Sequence, residues 1–482
     1  MTDDALAIVR ESLAGRPAWL VGGAVRDRLL ARPTSDIDLI VDGDVREAAR
    51  ALGRAARGPS FELSDEFGAW RVLSSDRSWQ ADLSPLRGGS LEADLALRDF
   101  TINAIAEPLA GGERVDPHGG AEDLAAGRLR AVGPRAFADD PLRALRLVRL
   151  GGELGLAPDS VTARLAREHA PAVASVAQER VFGELKRILA NDRALLPALR
   201  LMDELGLTSA IMPELDALHG VAQNRYHHAD VHTHTLEVLE QTLALQADGA
   251  AILGQEQADG AAILGQEHAG EVRALLAEPL ADELDRAVAM RLGALLHDAA
   301  KPATLGHRDD GSPTFLGHDR EGAQLARDVL TRLRASERLK AHVAALVRHH
   351  LRLGFLVHER PLSRRALYRY LLATQPVEVD VTLLSVADRL ATRGRKATQA
   401  IASHLELARE VLPVALRWRA HGPRAPLVPG DQLAAALDCK PGPQIGRLLA
   451  EIDEARYAGE VMTRADALAL AARLREDDRP VS

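Results

Sequence analysis

Two aspartates stand two positions apart near the start of the chain, in a short apolar run that follows a paired-glycine turn. Asp36 and Asp38 lie in the segment DIDLIV, where the two-residue period of a strand places alternate side chains on one face. Neighbouring carboxylates repel each other unless a cation lies between them. Mg²⁺ fits, because it prefers oxygen ligands and shares them with substrate phosphates. The pair therefore predicts two-metal chemistry, in which a hydroxyl attacks and pyrophosphate leaves.

The paired glycines supply the other half of such a site. Gly22 and Gly23 follow the apolar run AWLV, and Arg26 comes three residues later, where a helix is expected to begin. Bare backbone amides beside a guanidinium form a corner that holds phosphates. Asp82, in the strand-like WQADLSPL, is a third candidate carboxylate for the metal. Either motif alone reads as a surface turn with scattered acids, whereas the two in tandem favour a catalytic site.

A second polar cluster follows in LRDFTINA. Arg98, Asp99 and Asn103 have the spacing of one helical face, and this set suits a triphosphate and a ribose hydroxyl. Taken as isolated residues, they are more often a helix cap and a salt bridge.

The segment FADDPLRALRLVRL places Asp140 and Arg143 three apart on a predicted helix, so we expect both side chains on one face. A carboxylate accepts from an exocyclic amino group while a guanidinium donates to the adjacent ring nitrogen. Cytosine and adenine offer that combination on their pairing edge, and uracil and guanine do not. The pair predicts selection of C and A without a template; the alternative is an ordinary intrahelical ion pair. Arg146 is assigned to nucleotide binding with them.

The whole chain sets further bounds. Its 482 residues predict several domains, and its single cysteine, Cys439, excludes an intrachain disulfide framework. With an acidic N-terminal segment and no long apolar run, we expect a cytoplasmic protein without membrane association. The net charge is −9, yet residues 128–200 hold 13 Arg and Lys against 8 Asp and Glu. That segment suits a phosphate backbone, although an Arg-rich helical surface is as good an explanation. The oligomeric state is left open.

The predicted fold class is an α/β head followed by all-α domains. Short strand-like runs (AWLVGG, DIDLIV, WRVLS, WQADLSPL and INAIAEPL) alternate with helical pieces up to residue 127. The expected domains are the head at 1–127, a helical neck that reads nucleotide and binds RNA at 128–220, a metal-binding domain at 221–400 and a helical tail at 401–482. The segment QADGAAILGQE at 246–256 recurs at 257–267 and is expected to form a longer helix or a surface loop.

These motifs, in this order, resemble the class II CCA-adding tRNA nucleotidyltransferases and bacterial poly(A) polymerases. LVGGAVRD, the aspartate pair, LRDFTINA, DPHGG, DDPLRALRLVRL and ERVFGELKRIL carry the resemblance over residues 1–220. It implies a head that binds Mg²⁺, CTP and ATP, and tRNA as acceptor, with Gly22, Gly23 and Arg26 at the triphosphate and Asp99 and Asn103 at the ribose. Leu97 departs from the family pattern, which has an arginine there.

A second set of motifs lies downstream in HHADVHTHTLEVL, LLHDAAKP, FLGHDREGA, LVRHHL and SVADRLATRG. Imidazoles and carboxylates gathered from several helices can hold divalent transition metals. The candidate ligands are His234, His297, Asp298, Asp388, His318 and His349, with His350 as the alternative to His349. The pattern is similar to the HD phosphohydrolase superfamily, with Lys301 at its usual place after the His-Asp pair, and this implies a metal-dependent phosphoesterase.

Three functions follow as expectations. The first is template-independent addition of C and A, or of C alone, to the 3′ end of tRNA. The choice arises because only PLRGG separates the Asp82 strand from SLEADLALRDF: CCA-adding relatives carry a longer flexible loop there, and relatives that add only two cytidines lack it. The alternatives are poly(A) synthesis, and an HD phosphohydrolase that uses the head only to bind RNA.

Overall fold

The computed structural model describes residues 3–64, 68–223, 229–248, 266–392 and 397–477. The chain divides into two compact units, Met1–Ile211 and Met212–Ser482. Most of the duplicated segment, residues 249–265, lies outside the described residues, so the choice between helix and loop there stays a prediction. No helix in the described ranges combines the length and the apolar character needed to cross a bilayer.

The first unit opens with the α/β head. Its elements are α1 Asp3–Ser12, β1 Ala18–Val21, α2 Gly23–Leu29, β2 Asp36–Val41, α3 Val45–Ala55, β3 Ser60–Ser64, β4 Ala69–Leu73, β5 Gln80–Pro85, α4 Leu91–Ala96, a 3₁₀ helix at Thr101–Asn103, β6 Ala106–Pro108 and α5 Gly120–Ala125. The six strands of this described part form one mixed sheet in the order β3-β4-β5-β2-β1-β6, in which the β2–β5 pair is parallel.

Apolar side chains cover both faces of that sheet. On one face, Val9 of α1 and Leu52 of α3 pack with Leu39 and Leu83 of the central strands. On the other face, Leu95 of α4 belongs to a smaller cluster with strand residues. Burial of both faces keeps β2 and β5 rigid, as a site built on them requires.

Helices follow in the rest of the first unit. The elements of this region are β7 Arg128–Leu129, α6 Ala136–Asp139, α7 Arg143–Leu154, β8 Ala157–Pro158, α8 Ser160–His169, a 3₁₀ helix at Ala170–Ser175, α9 Gln178–Ala190, α10 Leu195–Glu204 and α11 Leu207–Ile211. The two strands, β7 and β8, form a short parallel pair. The apolar stripes of α7 and α9 pack against each other, and Leu145 and Leu185 are fully buried.

The second unit is helical apart from short strand pairs. Its elements are α12 Pro213–Asp216, α13 Val231–Asp248, α14 Gln266–Leu276, β9 Pro279–Ala281, β10 Leu284–Asp285, α15 Arg286–Leu296, β11 Gly306–His307, β12 Pro313–Thr314, α16 His318–Arg332, α17 Glu337–His349, α18 Arg352–Leu356, α19 Arg364–Thr374, α20 Glu378–Ala391, α21 Ala397–His421, α22 Gly430–Ala436, α23 Pro443–Ala458 and α24 Arg464–Asp477. The predicted fold class, an α/β head followed by helical domains, is confirmed.

Candidate active site and metal centre

The central strands of the head bring three carboxylates to one place. Ile37 and Leu39 are buried in the sheet, so Asp36 and Asp38, which alternate with them on β2, face the opposite side. Strand β5 runs parallel to β2 with Asp82 directly beside Asp38 in the register. The structure therefore places all three predicted carboxylates on neighbouring strands.

The negative charges of these carboxylates repel each other. Burial raises the pKa of Asp38, and the neighbouring Asp82 and Asp36 raise it further, while the Arg98 guanidinium lowers it. Arg71 relieves part of the repulsion, because its Nε and Nη2 each donate to Asp82 at 2.7 Å. Within the described ranges, neither Asp36 nor Asp38 has a guanidinium bound to both of its oxygens, although the charges of Arg98 and Arg26 act on Asp38. A divalent cation beside the two carboxylates would satisfy both. Their chemistry thus fits the Mg²⁺ predicted for the head.

The backbone turn at Gly22 leaves little room for a side chain and has a left-handed conformation that favours glycine. Gly22 has a φ of 65° and precedes α2. A Cβ there would lie 3.0 Å from Arg98 Nη1 and 3.2 Å from Asp38 Oδ2. The turn therefore brings bare backbone close to both the carboxylate and the guanidinium, and Gly23 then begins the helix. This arrangement leaves backbone N–H groups next to the metal site, where a phosphate chain would lie.

A hydrogen-bonded network connects the remaining polar residues of the head. Arg26 Nη1 donates to Asn103 Oδ1 at 2.8 Å, and Asn103 Nδ2 donates to Asp99 Oδ1 at 3.0 Å. Arg146 Nη2 lies 2.9 Å from the other Asp99 oxygen. Burial opposes ionisation of Asp99, but Arg146 and the Asn103 amide outweigh it and lower its pKa. Asp99 is thus a buried anion that fixes Arg146 and Asn103 in place.

This network does not lie on one helical face, and the prediction of a continuous helix through Arg98, Asp99 and Asn103 is wrong. Helix α4 ends at Ala96, and a separate 3₁₀ helix carries Asn103. Asp99 caps the turn between them, accepting from the Phe100 N–H at 2.8 Å. The turn still brings Asp99 and Asn103 into contact, as predicted.

The helical pairing predicted for Asp140 and Arg143 is also wrong. Asp140 has extended backbone (φ −147°, ψ 101°) before α7, and Arg143 is the first residue of that helix. Arg143 Nη2 donates to the Leu97 carbonyl at 2.7 Å, whereas Asp140 Oδ2 accepts from Arg180 Nη2 at 2.8 Å. The Asp140 carboxylate is still paired with a guanidinium, but that guanidinium belongs to Arg180 of α9 and not to Arg143.

A cavity of about 410 Å³ in the first unit joins the phosphate corner to α7. Among the described residues, its charged lining consists of Arg26, Asp27, Asp36, Asp38, Arg87, Arg98, Asp99, Arg143, Arg146, Arg149 and Arg187. Guanidiniums outnumber carboxylates there, although the whole chain is acidic. The cavity is large enough for a nucleotide and carries the charge to hold its triphosphate.

In the second unit, four helices deliver predicted metal ligands to one buried cluster. Its members are His234 on α13, His297 and Asp298 directly after α15, His318 at the start of α16 and His350 directly after α17. Ligand atoms of His234, His297 and Asp298 lie within 4.8 Å of one another, and so do those of Asp298, His318 and His350. Asp388 on α20 lies outside these two ligand groups and adjoins them through His234, whose Nε2 is 3.1 Å from its Oδ1. Asp298 belongs to both groups, which is the arrangement of two adjacent metal positions with a shared carboxylate.

The imidazoles of this cluster are oriented for metal binding. Nδ1 of His297, His318 and His350 lies 2.8, 2.7 and 2.7 Å from the carbonyl oxygens of the residues three positions earlier, to which it donates. The Nε2 atoms of His318 and His350 then face each other only 3.4 Å apart. Burial lowers the pKa of His297, but the Asp298 carboxylate, 3.1 Å from its Nε2, outweighs burial and raises it. Burial also lowers the pKa of His350 to about 4, which keeps it neutral at pH 7. Facing lone pairs of this kind fit a cation between them.

The assignment of His349 as a ligand needs correction. His349 Nδ1 accepts a hydrogen bond from Arg352 Nε at 2.8 Å, and His349 belongs to neither ligand group. Its neighbour His350 is 1% exposed and completes the group with His318. Successive residues at the end of α17 point about 100° apart, so only one of the two faces the cluster.

Comparisons with known proteins assign families to the regions that carry these two clusters. Residues 18–130 match the poly A polymerase head domain, 155–218 match the family described as "Probable RNA and SrmB- binding site of polymerase A", and 266–393 match the HD domain. The chain is 34% identical over 467 residues to the A-adding tRNA nucleotidyltransferase of Deinococcus radiodurans, covering 95% of this chain and 96% of that protein. The chain belongs to the tRNA nucleotidyltransferase family. Both the nucleotidyltransferase and HD families are metal-dependent.

A second relative is about as similar, and several solved structures share the fold. The CC-adding tRNA nucleotidyltransferase of Thermus thermophilus is 33% identical over 462 residues, covering 94% of this chain and 93% of that protein. Among solved structures, a CCA-adding enzyme with ATP has a TM-score of 0.65 at 20% identity, covering 98% of this chain and 96% of that one. The Thermotoga maritima CCA-adding enzyme complexed with tRNA has a TM-score of 0.61 at 20% identity, with coverages of 98% and 96%. The two solved structures show that the fold is shared over nearly the whole chain.

The structure adds site residues that sequence reasoning missed. Arg149 follows Arg143 and Arg146 at the same three-residue spacing along α7, so the helical period contained the signal for it. Arg180 and Arg187 of α9 approach from a distant part of the chain, and no local pattern indicates them.

Proposed function

We propose that this nucleotidyltransferase adds cytidylates, and not the terminal adenylate, to the 3′ end of tRNA. The observation that carries the proposal is the connection between β5 and α4, which is only five residues long, from 86 to 90. The resemblance described above implies that CCA-adding relatives use a longer flexible loop at this place to change from C to A. A chain without that loop is expected to stay in the C-selecting state.

The connection is also fixed in position. The Arg87 backbone N–H and its Nε donate to Asp94 Oδ2 at 3.0 and 3.1 Å, and Asp94 is 1% exposed. Ser90 caps α4 by accepting from the Ala93 N–H at 3.1 Å. A Cβ on Gly88 would lie 2.8 Å from that of Ala93, so the turn packs directly on the helix. These contacts leave the connection little freedom to reach over the nucleotide cavity.

The family members compared above do not decide this point by themselves. One is named A-adding and another CC-adding, at 34% and 33% identity. Their names nevertheless disfavour the two alternatives, poly(A) synthesis and a head that only binds RNA. The length of the connection is therefore the feature that favours C over A.

The head residues have distinct roles in this proposal. Asp36, Asp38 and Asp82 would hold Mg²⁺, which when bound lowers the charge barrier to attack by the tRNA 3′ hydroxyl and to loss of pyrophosphate. The Gly22 turn and Arg26 hold the triphosphate.

Asn103, Arg143 and the Asp140–Arg180 pair recognise the sugar and the base. Asn103, oriented by Asp99, contacts the ribose. Asp140 accepts from the cytosine amino group, and the guanidiniums of Arg143 and Arg180 next to it supply the donor to the ring.

The decisive experiment measures product length. A tRNA lacking its 3′ CCA is incubated with CTP alone, with ATP alone and with both, and the products are sized at single-nucleotide resolution. We expect two added nucleotides whenever CTP is present and no extension of a CC-ending tRNA by ATP. Extension of that tRNA by one adenylate would refute the CC-only proposal, and long adenylate tails would indicate poly(A) synthesis.

We further propose that the HD domain is a metal-dependent phosphohydrolase acting on phosphate monoesters or cyclic phosphates, with a divalent transition metal as its cofactor. The neutral His350, the shared Asp298 and the three oriented imidazoles support it. Lys301 Nζ lies 2.6 Å from Asp298 Oδ2 and donates to Gln223 Oε1 at 2.7 Å, so it is placed to fix the shared carboxylate.

Adjacent histidines provide a matched test of this metal centre. We expect His350→Ala to lower bound metal strongly after dialysis against a buffered metal solution, because it removes a ligand from one group. His349→Ala should keep its metal, since its imidazole contacts Arg352 instead. Metal content per chain is measured by mass spectrometry. Equal loss in the two variants would contradict the assignment of His350.

A further inference from the structure

A second cavity, of about 510 Å³, lies in the second unit, with lining residues from α19, α21 and α23 and from the loop after α21. The lining residues that matter here are Arg364, Tyr368, Arg417, Trp418, Arg424 and Tyr457. None of them belongs to the HD cluster. The cavity has the size of a small-molecule site.

Three aromatic rings form one side of this cavity. The ring centroids of Tyr368 and Tyr457 are 5.2 Å apart, and those of Trp418 and Tyr457 are 6.1 Å apart. Tyr368 and Trp418 are 7% and 6% exposed, whereas Tyr457 is half-buried. Two buried rings thus hold a third, partly open one in place. This is a rigid aromatic surface on which a planar group can stack.

The charges around these rings are not neutralised. Arg364, Arg417 and Arg424 are exposed and make no ion pair within the part of the chain that the structure describes. Arg456 Nη1 donates to the backbone carbonyl of Ala425, and its charge opposes the effect of burial on the pKa of Asp453. Asp453 is the carboxylate among the described lining residues, and burial raises its pKa.

The contrast with neighbouring arginines on α19 is informative. Arg365 Nη2 lies 2.6 Å from Glu460, and Arg369 Nη2 lies 2.6 Å from Glu454. Guanidiniums on that side of the helix are therefore paired with carboxylates of the tail, and those at the cavity are not. A chain with a net charge of −9 has enough carboxylates to pair them, so the unpaired cluster favours an anionic ligand.

We propose that this cavity binds a nucleotide, with its base stacked on Tyr457 and its phosphate held by Arg417 and Arg424. Base stacking on aromatic side chains and phosphate contacts to arginine are the two interactions by which proteins bind nucleotides without reading their sequence. An acidic peptide would use the guanidiniums but not the aromatic surface. The nucleotide is either free or part of a single-stranded RNA segment, because both present the same base and phosphate.

The test uses the full chain and two probes, radiolabelled CMP and a six-nucleotide single-stranded RNA, in equilibrium dialysis. The site is removed by the double substitution Arg417→Gln and Arg424→Gln, which removes both positive charges and shortens the side chains but leaves each a polar amide. The matched control is Arg419→Gln on the same helix, because Arg419 is paired with Glu278 at 3.2 Å and does not line the cavity. Thermal unfolding of each variant verifies its fold.

We expect the double variant to bind at least one probe about tenfold more weakly than wild type, or worse, because charged hydrogen bonds are lost. Arg419→Gln should bind as wild type does, and Arg417→Lys with Arg424→Lys should recover part of the affinity. Loss of CMP binding identifies a free-nucleotide site, and loss confined to the RNA probe identifies an RNA-contacting site. Equal affinities of wild type and double variant for both probes, or no binding of either probe to any form, would overturn the proposal.

Discussion

Asp38→Asn is expected to lower the rate of nucleotide incorporation into tRNA by about a thousandfold, the loss typical when a group that stabilises transition-state charge is removed. The substitution keeps the shape of the side chain but removes one negative charge from the cluster of three carboxylates that Asp38 forms with Asp36 and Asp82. An amide there holds Mg²⁺ less well. The rate is measured as single-turnover transfer from radiolabelled CTP to a tRNA lacking its CCA end.

Asp42→Asn is the matched control for this prediction. Asp42 directly follows β2, is exposed, and makes no ion pair among the described residues. Its substitution changes the net charge equally and should leave the incorporation rate within a factor of about two, as expected for a surface site. If Asp38→Asn retained near wild-type rates while folding normally, the metal assignment at β2 would be wrong.

The carboxylate site was predictable because its determinants are local. The runs AWLVGG, DIDLIV, WQADLSPL and INAIAEPL contain β1, β2, β5 and β6 of the head sheet, WRVLS covers all of β4 but its first residue, and none of these runs predicts β3. Within DIDLIV, the alternation of a strand is enough to place Asp36 and Asp38 on one face. The register that puts Asp82 beside Asp38 is a tertiary property, and the short motif around Asp82 only suggested it.

The error at Asp140 had a local cause that the sequence contained. Pro141 follows Asp140, and a residue before proline is pushed out of the helical region and into extended backbone. The helix therefore begins after the proline, at Arg143, and not before it. Asp140 lies just before the helix, where its Oδ1 accepts from the Leu142 N–H at 3.2 Å and its Oδ2 accepts from Arg180.

The choice between His349 and His350 could not be made from sequence in the same way. Both follow the same apolar helix, and a rotation of one residue decides which imidazole faces His318. That rotation depends on how α17 packs on α16, which is set by contacts along the length of both helices. Local patterns identify such a motif but do not fix its rotation.

Sequence patterns also gave no sign of the ion-pair network that supports the HD cluster. Arg286 at the start of α15 donates through Nε to Asp380 Oδ1 at 3.1 Å and through Nη2 to Asp380 Oδ2. His342 Nε2 lies 3.6 Å from the same carboxylate. Arg286 lies on α15, which His297 and Asp298 follow directly. Asp380 lies on α20 with Asp388, and His342 lies on α17, which His350 follows directly. The network thus joins three helices that position the metal ligands.

Asp380→Ala is accordingly expected to destabilise the second unit by about 3–5 kcal/mol, the cost of leaving a buried charge without its partner. Asp380 is 0% exposed, and Arg286 and His342 are 3% and 6% exposed, so water cannot replace the lost carboxylate. A loss of this size is a large part of the stability of an ordinary domain. Urea unfolding followed by circular dichroism measures it, and metal content should fall in parallel.

Two further observations separate this explanation from a general packing effect. Glu337→Ala breaks an exposed pair with Arg327 and should leave the unfolding midpoint nearly unchanged. Replacing Arg286 and Asp380 together by leucine should recover part of the loss, because no unpaired guanidinium is then buried. If the double variant were as unstable as Asp380→Ala, side-chain packing rather than the unpaired charge would explain the effect.

The ion pair between Arg286 and Asp380 also predicts that the free energy of unfolding depends on pH. Burial opposes ionisation of Asp380, but His342 and Arg286 outweigh it and hold its pKa below the ordinary value. The contribution of Asp380 to stability is therefore complete above its unfolded pKa of about 3.9 and declines as the pH falls below that value. Asp380→Ala removes this contribution, so the stability difference between wild type and variant should be constant near neutrality and shrink in acid. A difference that grew in acid would contradict the ionised pair, because it would require the folded protein to hold Asp380 protonated.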